Sequence, residues 1–376
     1  MTSPRIRVLQ LANGLGRGGT EKTLQLFAAN LDPSVFEPFV FAFSDGERGR
    51  ALRDAGLPVF IGQDLLQVLE RIRPDIVHVH RAGWPEPKLM RTLRLAGIPR
   101  IVETNVFGRF DPTPDGMAVD KRLFVSRFCL ERYARDNGIC LPDAKLDFLY
   151  NPVDTDFYDS RPINRNWSSP VFGRLSRSDP GKWSPLALEI LPLVKSSLPD
   201  FKLRIIGAIP EAREFVRSKK LEHNVEFCEP VNGESELADF LGSVNLLAHA
   251  NDAGESFGLA IAEAMAAGLP VVTHPARGNR DNAQLELVEH GVNGLVAGNV
   301  RDYADAVVRL LSSPDEARAM GHAGREKARK CFRVQQLSAK LEKIYLELIN
   351  KGNNVADADT YSRTPLQRLH AGGAQL

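Results

Sequence analysis

The chain has 376 residues, of which 43% are hydrophobic and 25% charged, as in ordinary globular proteins. At about 150 residues per domain, this length predicts two domains. Lys and Arg total 48 against 47 Asp and Glu, and the net charge of +1 argues against a nucleic-acid partner and an acidic disordered chain. No run approaches the roughly 18 apolar residues of a membrane-spanning helix, and the N-terminus lacks an apolar signal-peptide core. Four cysteines without a C-x-x-C pair predict neither a zinc ribbon nor a disulfide framework, so we expect a reduced, cytoplasmic protein.

Short apolar runs alternate with helical patterns through the first part of the chain. The predicted strands are residues 6–11, 39–43, 58–61, 76–79, 101–102 and 123–125. The predicted helices between them are residues 20–31, 50–55, 65–71, 86–96 and 128–134. Strand and helix in alternation predict a mostly parallel sheet that is covered on both faces.

A polar, proline-bearing segment at residues 158–169 interrupts the alternation and predicts a linker. The predicted elements that follow are strands 171–173, 202–206, 225–227, 244–248 and 270–273, and helices 186–198, 234–241, 258–267, 303–311 and 335–349. We therefore predict an α/β fold of two doubly wound, Rossmann-like parallel-sheet domains, residues 1–158 and 159–334, then a helix at 335–350. The polar residues 351–376 have no period and predict a disordered tail.

A glycine-rich turn stands between the first strand and the first helix. Residues 14–19 read GLGRGG and match the pattern G-x-G-x-x-G. Glycines let the backbone approach a phosphate, and the following helix N-terminus offers N–H groups and a positive dipole end. The pattern fits a dinucleotide, a nucleotide sugar or another phosphate ligand, and a tight turn without ligand remains an alternative.

Two carboxylates flank a loop-to-helix junction in the second domain. Glu255 and Glu263 stand eight residues apart, and Ser256 is a candidate N-cap between them. We expect Glu255 in the loop, where it can point at a ligand on the helix N-terminus, and Glu263 one to two turns into the helix. The alternative is two surface glutamates on an alanine-rich helix.

A basic loop, residues 173–183, follows the first strand of the second domain. Open α/β sheets bind ligands at the carboxyl ends of their strands. Arg174 and Lys182 can offer a planar fork and a point charge to a diphosphate. A solvated basic loop is the alternative interpretation.

Taken together, these stretches resemble the retaining glycosyltransferases of the GT-B fold, glycosyltransferase family 4, over roughly residues 5–349. The most specific stretch is 255–270, which is similar to the family's E-x(7)-E signature. Supporting matches lie at residues 18–21, 75–80, 150–154, 173–175, 286–288 and 291–294.

The resemblance implies two domains that face each other across a cleft. The nucleotide-sugar donor would bind to the second domain and a carbohydrate or lipid-linked acceptor to the first, onto which the last helix would return. The matched donor-site residues are the diphosphate-binding Arg174 and Lys182, the sugar-contacting Glu255, the ribose-binding Glu263, and the phosphate-facing backbone at Gly18, Gly19, Gly258 and Leu259. Arg174, Lys182 and Glu255 are the predicted catalytic residues.

The implied mechanism needs no metal and no cofactor beyond the nucleotide sugar. Fixed cations, glycine N–H groups and a helix N-terminus would stabilise the charge that develops on the leaving diphosphate. Attack would come from the front face, without a covalent intermediate. The D-x-D patterns at residues 154–156 and 357–359 fall in a hinge-like segment and in the tail, so we interpret both as chance.

The sequence departs from the family in two places. Asn105 stands where the family commonly has a histidine, and an amide can bind a sugar hydroxyl but cannot titrate near neutral pH. We predict Asn105 and His80 as acceptor or sugar contacts, with a structural role as the alternative for His80. Residues 276–281 replace a short Gly-Gly loop, and we expect them to alter donor-sugar contacts.

The acceptor side carries a basic helical pattern. Lys88, Arg91 and Arg94 recur at a spacing of three within residues 86–96. They form either a solvated helix face or a contact to an anionic membrane, which would place the protein peripherally at the inner face of the membrane.

The leading hypothesis is a hexosyl-type glycosyltransferase of glycan or surface-polysaccharide biosynthesis, with lipopolysaccharide among the products. The alternatives are a sugar-nucleotide epimerase of GT-B fold, an NAD-dependent oxidoreductase that uses residues 14–19, and a non-catalytic carbohydrate-binding protein.

Overall fold

The computed structural model describes residues 4–161 and 165–362, with side chains described as far as Lys351. Within them, all paired strands run parallel and form one sheet of seven strands and one of six. The predicted pair of α/β domains is therefore confirmed.

The first domain contains the seven-stranded sheet, in the order β3-β2-β1-β4-β5-β6-β7. Its strands are β1 Ile6–Gly14, β2 Phe36–Ser44, β3 Val59–Ile61, β4 Ile76–Arg81, β5 Arg100–Asn105, β6 Lys121–Phe124 and β7 Leu146–Phe148. Its helices are α1 Gly19–Ala29, α2 Glu47–Asp54, α3 Leu65–Ile72, α4 Pro87–Leu95, α5 Arg127–Asp136 and α6 Thr155–Ser160. The strand order reverses between β1 and β4, and this switch point opens a crevice at the carboxyl ends of the strands.

The second domain contains the six-stranded sheet, in the order β10-β9-β8-β11-β12-β13. Its strands are β8 Val171–Leu175, β9 Lys202–Ile206, β10 Val225–Cys228, β11 Leu247–Ala248, β12 Val271–Thr273 and β13 Gly294–Val296. Its helices are α7 Leu186–Glu189, α8 Leu191–Ser197, α9 Pro210–Ser218, α10 Glu234–Gly242, α11 Leu259–Ala266, α12 Gln284–Leu287, α13 Val300–Ser312 and α14 Pro314–Cys331. Its switch point lies between β8 and β11.

Local sequence explains where several helices begin or break. Asp64, Ser126 and Asn299 each accept a backbone N–H bond as N-caps of α3, α5 and α13. The single helix predicted over 186–198 is interrupted at Ile190, because Pro192 has no N–H and would crowd the preceding turn. Six elements have no counterpart among the predicted ones: β7, β13, α6 and α12 are only three to six residues long, and the helical patterns of α9 and α14 were missed.

The last helix, α15, runs from Val334 to Ser362 and packs on the first domain. Leu337, Leu341 and Tyr345 are buried there, and the Tyr345 hydroxyl accepts a bond of 3.1 Å from Gln10 Nε2. The helix passes the predicted end at residue 350, so residues 351–362 are helical and not a disordered tail. A single Gly352 costs only about 1 kcal/mol in a helix, and no proline follows it within the described residues. Residues 363–376 lie outside the described residues.

Candidate active site

A cleft of about 1180 Å³ lies between the two domains at the carboxyl ends of both sheets. Seven of the predicted site residues line it: Gly18, Gly19, Arg174, Lys182, Glu255, Gly258 and Leu259. The first domain contributes the glycine turn and a loop at residues 106–109, and the second contributes the loops after β8 and β11. The structure thus brings together motifs that are far apart in sequence.

The glycine turn leads directly into α1. Gly18 is the N-cap, and Gly19 begins the helix opposite Leu259 of the second domain. A Cβ on Gly18 would overlap the Glu21 carboxylate, while a Cβ on Gly19 would lie 3.6 Å from Leu259. Both glycines line the cleft without a side chain, so the backbone of the turn itself faces the cleft.

Arg174 is a fixed cation in the wall of the cleft. It lies in β8, is only 3% exposed, and its guanidinium lies 4.0 Å from the centre of the Trp183 ring. Its Nη1 donates to the Ala250 carbonyl at 2.9 Å and its Nη2 to the Lys182 carbonyl at 2.7 Å. Burial lowers the pKa of Arg174 to about 10, so the side chain stays charged at neutral pH. Trp183 holds this cation by stacking, which the sequence reasoning missed.

Glu255 is an ionised carboxylate held by three neighbours. Lys182 Nζ lies 3.2 and 3.3 Å from its oxygens, His249 Nε2 lies 3.2 Å away, and Asn251 Nδ2 donates at 2.8 Å. Burial alone would raise the pKa of Glu255, but the His249 hydrogen bond, the Lys182 charge and Asn251 outweigh it and lower the pKa to about 2. The sequence reasoning missed His249 and Asn251. They lie one and three residues after β11 at the switch point, a position that could have indicated them.

Helix α11 directs its N-terminus at the same place. Gly258, not the predicted Ser256, is its N-cap, with φ at 101°, which favours glycine. Ser256 instead donates its hydroxyl to Asp281. The first N–H groups of a helix have no partner within it, so the start of α11 offers donors and a positive dipole end to an anion.

Glu263 does not line the cleft. It is buried in α11, and Lys22 of α1 reaches across the domain boundary to place Nζ 2.5 Å from Glu263 Oε1. Lys22 also pairs with Glu234 of α10. Burial lowers the pKa of Lys22, but the charges of Glu263 and Glu234 outweigh it and raise the pKa; burial raises the pKa of Glu263 more than Lys22 lowers it. The predicted ribose ligand thus has a lysine partner that the sequence reasoning missed.

Asn105 and His80, the predicted sugar contacts, lie outside the cleft lining. Asn105 donates to the Arg109 carbonyl at 2.8 Å and accepts from the Arg109 N–H at 3.1 Å, so its amide closes a loop. His80 stacks on His78 and bonds Gln10 Oε1 through Nε2 at 2.7 Å. Burial lowers the pKa of His80 to about 3 and keeps the ring neutral. Both side chains support the first domain from within.

The loop at residues 276–281 joins the domains at one end of the cleft. Asp281 pairs with Arg132 of α5, and Arg280 donates to the Asp252 carbonyl. Residues 279–281 line the cleft, so this departure from the family shapes its rim. The effect on donor-sugar contacts remains a prediction.

The two D-x-D patterns have different outcomes. Asp154 caps α6, accepting from the Phe157 N–H at 3.0 Å, and Asp156 pairs with Arg333, so both have structural roles. The side chains of Asp357 and Asp359 lie beyond the described ones. Across residues 4–161 and 165–362, no cluster of three His, Cys, Asp or Glu side chains is arranged to hold a metal ion.

The basic helix α4 carries two arginines that form ion pairs and are still largely exposed to solvent. Arg91 and Arg94 both pair with Asp115, with their side chains 64% and 53% exposed. No helix in the described part of the chain combines the length and apolarity that a membrane crossing requires. Contact of α4 with a membrane surface stays a prediction.

Comparison with solved structures defines the fold of the protein. Its arrangement matches a glycosyltransferase from Rickettsia africae, with a TM-score of 0.75, 17% identity and coverage of 92% of this chain and 99% of the other. It also matches Anabaena Alr3699/HepE in complex with UDP and glucose, with a TM-score of 0.73, 19% identity and coverage of 91% and 100%. The fold is therefore GT-B.

Sequence similarity then identifies the domain that contains the second sheet. Residues 170–313 match the family described as "Glycosyl transferases group 1". The chain is 32% identical over 247 residues to a GDP-mannose-dependent alpha-(1-6)-phosphatidylinositol monomannoside mannosyltransferase of Mycobacterium tuberculosis, a match that spans 60% of this chain and 61% of that enzyme. It is 29% identical over 316 residues to an N-acetyl-alpha-D-glucosaminyl L-malate synthase of Bacillus anthracis, spanning 78% and 80%. The resemblance is confirmed: the second domain is a group 1 glycosyltransferase domain, and family 4 fits these relatives.

Proposed function

We propose that the protein is a retaining glycosyltransferase that moves a sugar from a nucleotide diphosphate sugar to a carbohydrate or lipid-linked acceptor. The observation that carries the proposal is the convergence of Arg174, Lys182, Glu255 and the N-terminus of α11 on one wall of the cleft. The mannosyltransferase relative is named as GDP-mannose-dependent and the HepE structure holds UDP, which supports a nucleotide-sugar donor.

The positive groups on this wall suit the charge of the reaction. Cleavage of the bond between sugar and diphosphate leaves negative charge on the diphosphate. Arg174 and Lys182 supply two cations, and α11 supplies N–H donors and a dipole end. These groups are held before substrate arrives, so little reorganisation is needed as the bond breaks. The same groups can stabilise the leaving group without a metal ion.

Glu255 serves as a contact to the donor sugar in this proposal. Because its carboxylate is ionised and shared among Lys182, His249 and Asn251, it accepts hydrogen bonds from sugar hydroxyls. We assign no nucleophile, and retention follows from the family resemblance through front-face attack.

A donor screen tests the proposal. Thermal unfolding would be recorded with UDP-, GDP- and ADP-sugars, and the product's anomeric configuration would be read by NMR with the stabilising donor. Failure of every nucleotide and nucleotide sugar to stabilise the protein would refute the proposal. Turnover of the donor sugar without any acceptor would favour an epimerase, and an inverted product would refute retention.

Two substitutions test the site. Arg174→Gln and Lys182→Met should each weaken donor binding by about 2 kcal/mol, roughly 30-fold, because each removes a charged contact to phosphate. Arg301→Gln is the matched control: it also lies in the second domain, its side chain is 75% exposed, and it pairs with Asp305 outside the cleft lining. Wild-type donor affinity in both test variants would refute the assignment.

A further inference from the structure

The first-domain wall of the cleft carries an aromatic surface with a cation on it. Trp84 and Phe107 line the cleft with 54% and 41% of their surface exposed. The guanidinium of Arg109 lies 5.0 Å from the centre of the Trp84 ring. We call these three residues the aromatic platform. It shares the cleft with the Arg174 wall but belongs to the opposite domain.

The charge on the platform is not neutralised by a carboxylate. The first domain contributes two cations to the cleft lining, Arg17 and Arg109. Arg17 pairs with Glu47, whereas no carboxylate of the described residues lies within salt-bridge distance of Arg109. A stacked guanidinium keeps its planar donor fork available, and that fork matches phosphate and carboxylate groups.

The platform is held in place before any ligand binds. Asn105 bonds both the N–H and the carbonyl of Arg109, and Gly83 leaves the space that the Asn105 amide occupies. Arg81 Nη1 donates to the Trp84 carbonyl at 2.9 Å, and Arg132 Nη2 to the Phe107 carbonyl at 2.6 Å. Asn105 was predicted as a sugar contact, and the structure makes it the residue that positions Arg109. A preorganised surface loses little entropy on binding.

We infer that the aromatic platform is the acceptor subsite and that the acceptor carries a phosphate or carboxylate group, which Arg109 binds. This inference rests on the proposed function. The aromatic faces would take the apolar face of the acceptor, and Arg109 its anionic group. An anionic acceptor needs such a cation because it must approach a donor diphosphate of the same charge.

Acceptor pairs that differ only in charge test the inference. The probes are myo-inositol 1-phosphate against myo-inositol, and L-malate against its dimethyl ester. Their binding to the nucleotide-loaded protein would be measured by calorimetry. We expect one anionic member to bind roughly 10-fold or more tightly than its neutral partner. Arg109→Gln should bring that preference near unity without changing nucleotide affinity, and Arg109→Lys should restore part of it.

Two further variants make the result specific. Asn105→Ala should weaken the same charge preference, because it releases the backbone of Arg109, again without changing nucleotide affinity. Arg71→Gln is the matched control, since Arg71 is an exposed cation of the same domain that lies 5.7 Å from the centre of the Phe60 ring, outside the cleft lining. Vesicles of phosphatidylinositol in phosphatidylcholine, against phosphatidylcholine alone, form a second arm. Binding there but not to the soluble phosphate would assign the anion to a lipid headgroup.

Three results would overturn the inference: equal affinity within both pairs and both vesicle types, no binding of any anionic probe, or an undiminished charge preference in Arg109→Gln. A wild-type protein that binds no nucleotide would instead refute the proposed function. Intact nucleotide binding without a charge preference would refute this inference alone.

Discussion

The buried contact between Lys22 and Glu263 joins the two domains, and removing both partners should cost less than the sum of removing each one alone. Lys22 Nζ lies 2.5 Å from Glu263 Oε1, and the two side chains are 5% and 6% exposed. In Lys22→Met, Glu263 would lose its counter-charge where water hardly reaches. Breaking a buried pair in this way costs about 3–5 kcal/mol, because the remaining charge is uncompensated.

Removing Glu263 should lower the free energy of unfolding by less than removing Lys22. In Glu263→Gln, Lys22 keeps its second carboxylate, Glu234, whose side chain is 39% exposed. We therefore expect a loss of about 1–2 kcal/mol. The double variant leaves neither buried charge unpaired, so its loss should fall short of the sum of the single losses by about 2 kcal/mol.

Urea unfolding at pH 7, followed by tryptophan fluorescence and far-UV circular dichroism, measures these differences. Coincident transitions by the two probes license conversion to free energies of unfolding. Lys22→Arg is the control, because it keeps a cation at this position. If the double variant loses the sum of the two single losses within about 0.5 kcal/mol, the reasoning is refuted, because the two side chains then do not interact.

Three further predictions concern acid stability, the active-site loop and the last helix. The pKa of Glu255 lies below its ordinary 4.5, at about 2, so its contribution of about 3 kcal/mol is present above pH 4.5 and lost as pH falls towards 2. In Glu255→Gln, the urea midpoint should fall less between pH 7 and pH 3 than in the wild type, because glutamine does not titrate. Gly254→Ala should destabilise the protein by about 1–3 kcal/mol in thermal unfolding and weaken nucleotide binding, because φ is 70° and a Cβ would overlap the Asp281 carbonyl. Leu341→Ala should lower the free energy of unfolding by about 2–5 kcal/mol, because its side chain is fully buried between α15 and the first domain.

A matched control variant distinguishes the effect of each glycine or leucine substitution from the effect of any similar substitution nearby. Gly278 has the same φ of 70°, but a Cβ at this position would meet no atom within 4 Å, so Gly278→Ala should cost only about 1 kcal/mol and leave nucleotide binding unchanged. Leu346 is 37% exposed on the same helix as Leu341, so Leu346→Ala should cost less than Leu341→Ala. Equal effects within either pair, or an unchanged acid sensitivity in Glu255→Gln, would contradict the structural account.

Local patterns were sufficient to predict the fold and to name seven residues that line the cleft. Apolar runs alternating with helical periods predicted both sheets, because each run is buried where it stands. Arg174 and Lys182 could be predicted because their loop follows the carboxyl end of a strand, where open α/β sheets bind ligands, and Glu255 could be added because it precedes a helix N-terminus and matches the family signature. The rule on strand ends would also have indicated His249 and Asn251, which lie one and three residues after β11.

The contacts between the domains were decided only by the tertiary structure. Nothing near Lys22 in sequence indicates that it meets Glu263, since that contact depends on how two separately folded sheets are placed. The sequence also did not show where a side chain at the end of a strand points. Asn105 is the last residue of β5, and its amide turns to Arg109, because a buried amide must find hydrogen-bond partners and the returning loop offers them. Sequence alone therefore determined which residue types stand at the edge of each sheet, while packing decided which of them reach the cleft.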